Sequence, residues 1–318
     1  MFGLLPFGGT AAPAEETGAA QDNGWGSYIE GAQENLSREI VDTGRWLDGL
    51  FGTEPLQGEQ KGSLLRLGVQ NQLERGGASY SPEVRLQLAL PRTEKRFNIY
   101  LESQTRDTFD NTEESSPGVA QSPNPDTTQT GTDYLAGVKY VRETANYLNF
   151  RADAGMVLHW PPNPYTRLRL RKSYFLGDWE VRFGETVFWS HKRGRGAETE
   201  MLWQHPMPQD FFFRSDTKTT YLEREGTFFS SHEFTITERL APMEALVYRM
   251  AVSDRGDDGE PYSQVLYDLR WRRSLYKRWL LMEVRPAFVF PADQDFEMQP
   301  RLYFSVEALF GDPDEFGF

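Results

Sequence analysis

Cysteine is absent from all 318 residues, which removes thiol nucleophiles, zinc–thiolate centres and disulfides from this chain's chemistry. Long apolar runs are absent too: no window approaches the roughly 20 consecutive apolar residues that a transmembrane helix requires. Positive charge is in short supply. With 34 Lys and Arg against 47 Asp and Glu, the formal net charge is -13, the wrong sign for a general nucleic-acid binder, so no nucleic-acid partner is expected. No phosphate-cradling Gly motif or dinucleotide fingerprint is present. These absences exclude a helical membrane protein but leave a membrane barrel open. Barrel strands alternate apolar and polar residues, so a mean hydropathy of -0.61 is compatible with crossing a bilayer.

Aromatic residues, in contrast, make up 14% of the chain, with 22 Phe, 14 Tyr and 8 Trp, a supply that suits membrane-interface girdles as well as soluble cores. Residues 1–14 end in Ala12-Pro13-Ala14, a small-x-small cleavage pattern without a basic n-region, and read as a signal-peptide remnant or a disordered tail. Residues 15–61 form a linker followed by one amphipathic helix over 27–51. Ser27 and Glu30 have capping-box spacing, Ile29, Leu36, Ile40, Leu47 and Leu50 recur on one side, and Gly52 stops the run. Its apolar stripe packs on a rim or plugs a lumen, binds a periplasmic partner, or lies on the inner leaflet.

From residue 62 to 311 the period changes to two. Val84, Leu86, Leu88 and Leu90 alternate with Arg85, Gln87 and Ala89. Leu302, Phe304, Val306, Ala308 and Phe310 alternate with Arg301, Tyr303, Ser305 and Glu307. Alternation repeated at short spacing predicts an all-β barrel or sandwich. About fourteen segments, each of about 9–13 residues, match a tilted membrane-crossing strand. Twelve is the alternative count, because the segments near Trp179, Phe211 and Phe228 alternate less cleanly. Connections such as Leu176–Asp178 and Leu240–Met243 are short. The opposite set includes Arg75–Ser81, His191–Gly196 and the long, Asp/Thr/Ser/Pro-rich Thr105–Thr132. With both termini in the periplasm, an even count puts the second set outside the cell. Residues 312–318 form a tail.

Two features favour an antiparallel up-and-down transmembrane barrel over a soluble sandwich. Aromatic residues stand near segment ends, among them Trp160, Trp179, Trp189, Trp203, Trp271, Phe290 and Phe310. Charges are confined to one face, as a lumen allows; on the lipid side each Arg or Lys would cost about 2–4 kcal/mol at the midplane. In these strands and in its terminal Phe318, the chain resembles Gram-negative outer-membrane β-barrel proteins as a class. That resemblance implies a cell outer membrane location, outer-membrane lipid and lipopolysaccharide as surroundings, and the barrel-assembly machinery as a partner during insertion. Gly311-Asp312-Pro313-Asp314 interrupts the last strand, a departure from the closing-strand pattern of that class.

The inferred lumen face carries Arg151, Asp153, Arg167, Arg169, Arg171, Arg182, Glu198, Glu200, Arg214, Asp216, Lys218, Arg249, Asp268, Arg270, Arg272, Glu283, Arg285 and Arg301. It leans basic although the whole chain is acidic. A cross-strand ladder of ion pairs filling a narrow barrel is one reading. A narrow channel for small, anionic solutes is the other, since rings of Arg and Lys select anions; Arg167, Arg169 and Arg171 are its most concentrated patch. A closed barrel acting as a scaffold for a periplasmic complex, through residues 27–51, is the alternative function. A barrel-rim hydrolase is disfavoured. Ser190-His191 and Ser231-His232 are adjacent pairs, and adjacent strand residues point to opposite faces. His159 and His191 lack a third metal ligand, and the acidic loop lacks calcium-loop spacing. No enzyme activity, cofactor or metal is expected.

Overall fold

The computed structural model describes residues 63–90, 96–105, 132–144, 147–158, 160–255, 264–277 and 279–311. The expected helix over 27–51, the Thr105–Thr132 loop interior and the 312–318 tail lie outside the described residues.

Fourteen strands form one closed barrel in which every strand pairs with its sequence neighbours and β1 pairs with β14. They are β1 (Leu64–Glu74), β2 (Gly77–Ala89), β3 (Phe97–Thr105), β4 (Thr132–Thr144), β5 (Leu148–Val157), β6 (Asn163–Leu176), β7 (Trp179–Ser190), β8 (Gly194–Met207), β9 (Phe211–Leu222), β10 (Thr227–Ala241), β11 (Glu244–Arg255), β12 (Gln264–Tyr276), β13 (Leu280–Pro291) and β14 (Gln299–Gly311). All pairings are antiparallel, and the seam runs in unbroken register from Leu64↔Gly311 to Glu74↔Arg301. Closure removes the sheet edges that would otherwise recruit other chains. The count is fourteen rather than twelve, because β7, β9 and β10 are full strands despite their less regular alternation.

The faces are inverted relative to a water-soluble protein. Leu168, Leu170, Phe183, Val187, Tyr267 and Phe304 are exposed on the outside, Val187 by 54%. Arg167, Arg169, Glu180, Arg182 and Arg272 are buried on the inside, Arg182 to 2% exposure. Along β6, and along β7 from Arg182 onward, more and less buried positions alternate, as the two-residue side-chain period of a strand requires. Large apolar side chains turned outward over a whole barrel are unfavourable in water and favourable in lipid. Among the described residues no helix is long and apolar enough to cross a membrane; the strands do so.

The outer connections are tighter than the sequence expectation: His191–Gly196 shrinks to a turn at 191–193 before β8, and the largest difference lies between β1 and β2. Arg75–Ser81 was expected as a loop with the next strand starting at Pro82. Instead β1 and β2 join through a two-residue turn at Arg75-Gly76, and β2 begins at Gly77. Pro82 pairs with Val69 inside β2. It is tolerated there because β2 has no ladder partner on its other side at that level. The β2–β3 pairing starts only at Arg85↔Glu102, and the Val84 N–H, on the β3 side like the missing one of Pro82, donates to Ser103 Oγ at 2.7 Å. A proline with its ring nitrogen toward an unpaired side loses no hydrogen bond.

Two glycines clear space inside the wall. A Cβ on Gly137 would meet Tyr100 Oη at 2.7 Å, and one on Gly155 would meet Tyr165 Oη at 2.9 Å. Each tyrosine thus lies over a glycine on the neighbouring strand, the arrangement by which aromatic rings cover glycines in sheets. The two hydroxyls hydrogen-bond to each other, and with Leu135 and Val157 they form a buried cluster.

Candidate functional site

Strand register decides which lumen charges meet. In one row Lys139, Asp153 and Arg167 stand side by side on β4, β5 and β6. Asp153 accepts from Arg151 Nε at 2.9 and 2.8 Å and from Arg167 Nε at 2.9 Å. One carboxylate therefore serves two guanidiniums, and the Lys139 ammonium, buried in the same row, sits 5.8 Å from the centre of the Tyr100 ring.

On β6–β9 a second row aligns Arg171, Gly184, Glu200 and Lys218. Arg171 Nη2 reaches Glu200 Oε2 at 3.2 Å by passing over Gly184. A Cβ on Gly184 would meet that same oxygen at 3.0 Å and Arg171 Cγ at 3.4 Å. Closer to the short-turn end, Glu180 is fully buried and uses both oxygens. Oε1 accepts from Ser173 Oγ at 2.7 Å and lies 3.4 Å from Arg182 Nη2; Oε2 accepts from Gln204 Nε2 at 2.7 Å. Gln204 Oε1 in turn accepts from Arg214 Nε at 3.2 Å.

Two further knots lie toward the seam. Arg249 binds Asp268 through Nε at 2.7 Å and Nη2 at 2.5 Å, with Glu233 at 3.5 Å. Arg272 binds Glu307 with two nitrogens, at 3.2 and 2.5 Å, and Glu283 at 3.0 Å. Arg270 Nε stands 3.5 Å from Glu283, and Arg66 on β1 stands 3.5 Å from Glu307 on β14, across the closing seam. The Arg272–Glu307 contact engages both carboxylate oxygens, a bidentate arrangement that fixes geometry as well as charge, whereas both Arg249 nitrogens share Asp268 Oδ2. Lys218 pairs with Asp216 at 3.2 Å, Thr220 Oγ1 donates to Glu198 at 3.1 Å, Arg301 lies 3.6 Å from Glu74, and Arg285 stacks 4.0 Å above the Tyr303 ring.

The register thus brings sequence-derived lumen residues together on one face as five carboxylate-centred groups and several smaller contacts. Sequence reasoning passed over Arg66 and Lys139, although each alternates with apolar neighbours that could have marked its face. It also passed over inward apolar clusters. Leu64, Phe212, Ala245, Leu281 and Leu309 cluster at the short-turn end, and Ala251, Leu266, Ala287, Val289 and Tyr303 at the other. These inward positions break the rule that this face is polar, so alternation alone does not find them.

The histidines do not assemble a catalytic group among the described residues. Ser190 points inward while His191 sits in the following turn, and Ser231 is opposite Lys218 while His232 is opposite Thr217 on the outer face. His205 stacks on Trp179 at 4.7 Å and bonds the Asp178 carbonyl at 2.8 Å. His159 lies outside the described residues. No group of three metal-ligating side chains occurs among the described residues.

Apolar outside, charged inside and closed upon itself, the chain is a transmembrane β-barrel of the outer-membrane type. No family model matches it, and no curated protein does. Several solved structures align with it. CdiB from Acinetobacter baumannii aligns at a TM-score of 0.49 and 8% identity, over 78% of this chain and 60% of its own. OprB of Pseudomonas putida aligns at 0.47 and 10%, over 79% and 94%. An OmpT loop-deletion mutant, an outer membrane protein of Vibrio cholerae, aligns at 0.45 and 10%, over 78% and 98%. At these scores they set no shared activity on this chain.

Proposed function

We propose that the barrel is a narrow channel for small, anionic solutes in a Gram-negative outer membrane. The observation that supports it best is the crowding of cations on β4–β6, where Arg151 and Arg167 both bind Asp153 beside Lys139. Arg169 and Arg171 continue the same face. An anion entering such a stretch gains attraction from a wall with more cations than carboxylates, inside a low-dielectric shell that strengthens each interaction. Guanidinium forks suit carboxylate and phosphate groups in particular.

A second reading is favoured by the burial of the charges themselves. Glu180 and Arg182 are 0% and 2% exposed, so the wall's ions pack on one another. A barrel filled by its own ion pairs would serve as an anchor for a periplasmic partner, held through residues 27–51.

Planar-bilayer recording of the refolded full chain separates the two. The channel reading expects steady steps whose reversal potential in a salt gradient is anion-selective, with selectivity falling severalfold in an Arg167→Ala/Arg169→Ala/Arg171→Ala variant. Silence from inserted protein, unrelieved by removing residues 27–51, contradicts the channel and favours the anchor.

A further inference from the structure

The outer face is apolar at mid-strand almost everywhere, but one sector departs from this. Midway along β7, Glu185 points outward between Phe183 and Val187, both heavily exposed. Its carboxylate accepts from Thr199 Oγ1 on β8 at 3.0 and 3.2 Å. The same register row continues to Thr219 on β9 and Ser230 on β10, whose hydroxyls lie 3.2 Å apart. Beside it Thr217 Oγ1 meets His232 Nδ1 at 2.5 Å. An acid, an imidazole and a run of hydroxyls thus cross four adjacent strands on the face turned to lipid. Elsewhere on the described outer face, polar side chains sit toward strand ends.

A carboxylate and an imidazole are costly in hydrocarbon, and such groups in membrane segments normally face protein or water. The local bonds answer part of the demand: Thr199 gives Glu185 one donor, and Thr217 occupies one ring nitrogen of His232, leaving Nε2 as the remaining one. We propose that this sector is the interface of a two-fold dimer of the chain within the membrane.

The choice of a second copy rests on complementarity. Two copies in one membrane share its orientation, so their two-fold axis lies along the membrane normal and the β7 side of one meets the β10 side of the other at equal depth. The row that leaves Glu185 midway along β7 drifts toward the strand end as it crosses to β10, reaching Ser230 close to Thr227 where β10 begins. The β10 residues level with Glu185 therefore lie further along that strand, around His232. The dimer sets the Glu185 carboxylate against the His232 imidazole of the second copy, twice, and each contact satisfies one acceptor and one ring nitrogen. This rests on the barrel's seat in a bilayer and not on whether it conducts.

The absence of cysteine makes the test simple. Thr217→Cys, at the centre of the sector, and Val69→Cys, exposed on the opposite wall, are each introduced into the full chain, refolded into phospholipid vesicles and oxidised. Insertion is checked beforehand by heat-modifiable mobility, so a failure of the membrane reading is seen separately. A covalent dimer at Thr217→Cys with Val69→Cys remaining monomeric is expected, and adding Glu185→Leu should lower the dimer fraction severalfold. Ser230→Cys serves as a second reporter should Thr217→Cys refold poorly. Equal cross-linking at both walls, or none at the sector, overturns the proposal.

Discussion

Arg272 shows at the scale of one residue how the lumen is held. Its guanidinium neutralises Glu307 and Glu283 at once, with Arg66 and Arg270 closing the knot. Ion pairs of this kind contribute little against an apolar filling of the same shape, but removing one partner leaves buried charge uncompensated, at about 3–5 kcal/mol. Arg272→Ala is therefore expected to destabilise the barrel on that order, read as a lower urea midpoint for unfolding from lipid, whereas Arg273→Ala, half-exposed and 3.8 Å from Glu244, should change it by less than about 1 kcal/mol. Equal effects would contradict the knot. The face on which Arg272 stands was legible from alternation with Trp271 and Leu269. Its partners were not, because they depend on the register between β12, β13 and β14, and a shift of one residue exchanges every side chain between faces. Gly184 was illegible for a related reason: its use is the space it leaves for a contact between β6 and β8, two strands that are not themselves paired.

At the scale of the strand, the division between lipid and lumen is what the alternation encodes. Thr186 and Val187 are neighbours on β7, one buried and one exposed by 54%. Val187→Arg is expected to lower barrel stability by about 2–4 kcal/mol, the cost of a guanidinium near the bilayer midplane. Thr186→Arg, placed among Arg169 and Glu198 across the neighbouring strands, should leave insertion intact and alter conductance or ion selectivity instead. The reverse pattern in lipid-refolding titrations would invert the faces assigned to β7. Strand starts at Trp179, Phe211 and Glu244 were readable from the sequence because tight turns flank them. The start of β2 was not. Proline reads as a strand boundary, and only the missing β3 neighbour explains its place inside β2. The ends of β10–β11 and β12–β13 carry register shifts between Arg239 and Ala241 and between Ser274 and Tyr276, local kinks at the rim that a period-two pattern does not reveal.

At the scale of the molecule, closure converts fourteen marginal ribbons into one structure. No hairpin here is stable alone, and the β1–β14 seam, stitched by eleven register pairs and the Arg66–Glu307 contact, joins residues at opposite ends of the barrel sequence. The all-β barrel class and the sidedness of its charges were legible in composition and period. The inward apolar clusters and the outward sector at Glu185 were not read, since both violate the rule by which the faces were assigned. The most direct check of the account as a whole is a nitroxide scan. Single cysteines at 167 to 171 in the otherwise cysteine-free chain would be spin-labelled in lipid vesicles and exposed to oxygen, which partitions into lipid, and to a water-soluble nickel chelate. A membrane barrel with a charged lumen requires high oxygen accessibility at 168 and 170 and low accessibility at 167, 169 and 171. Uniform accessibility to the nickel chelate at all five positions would contradict it.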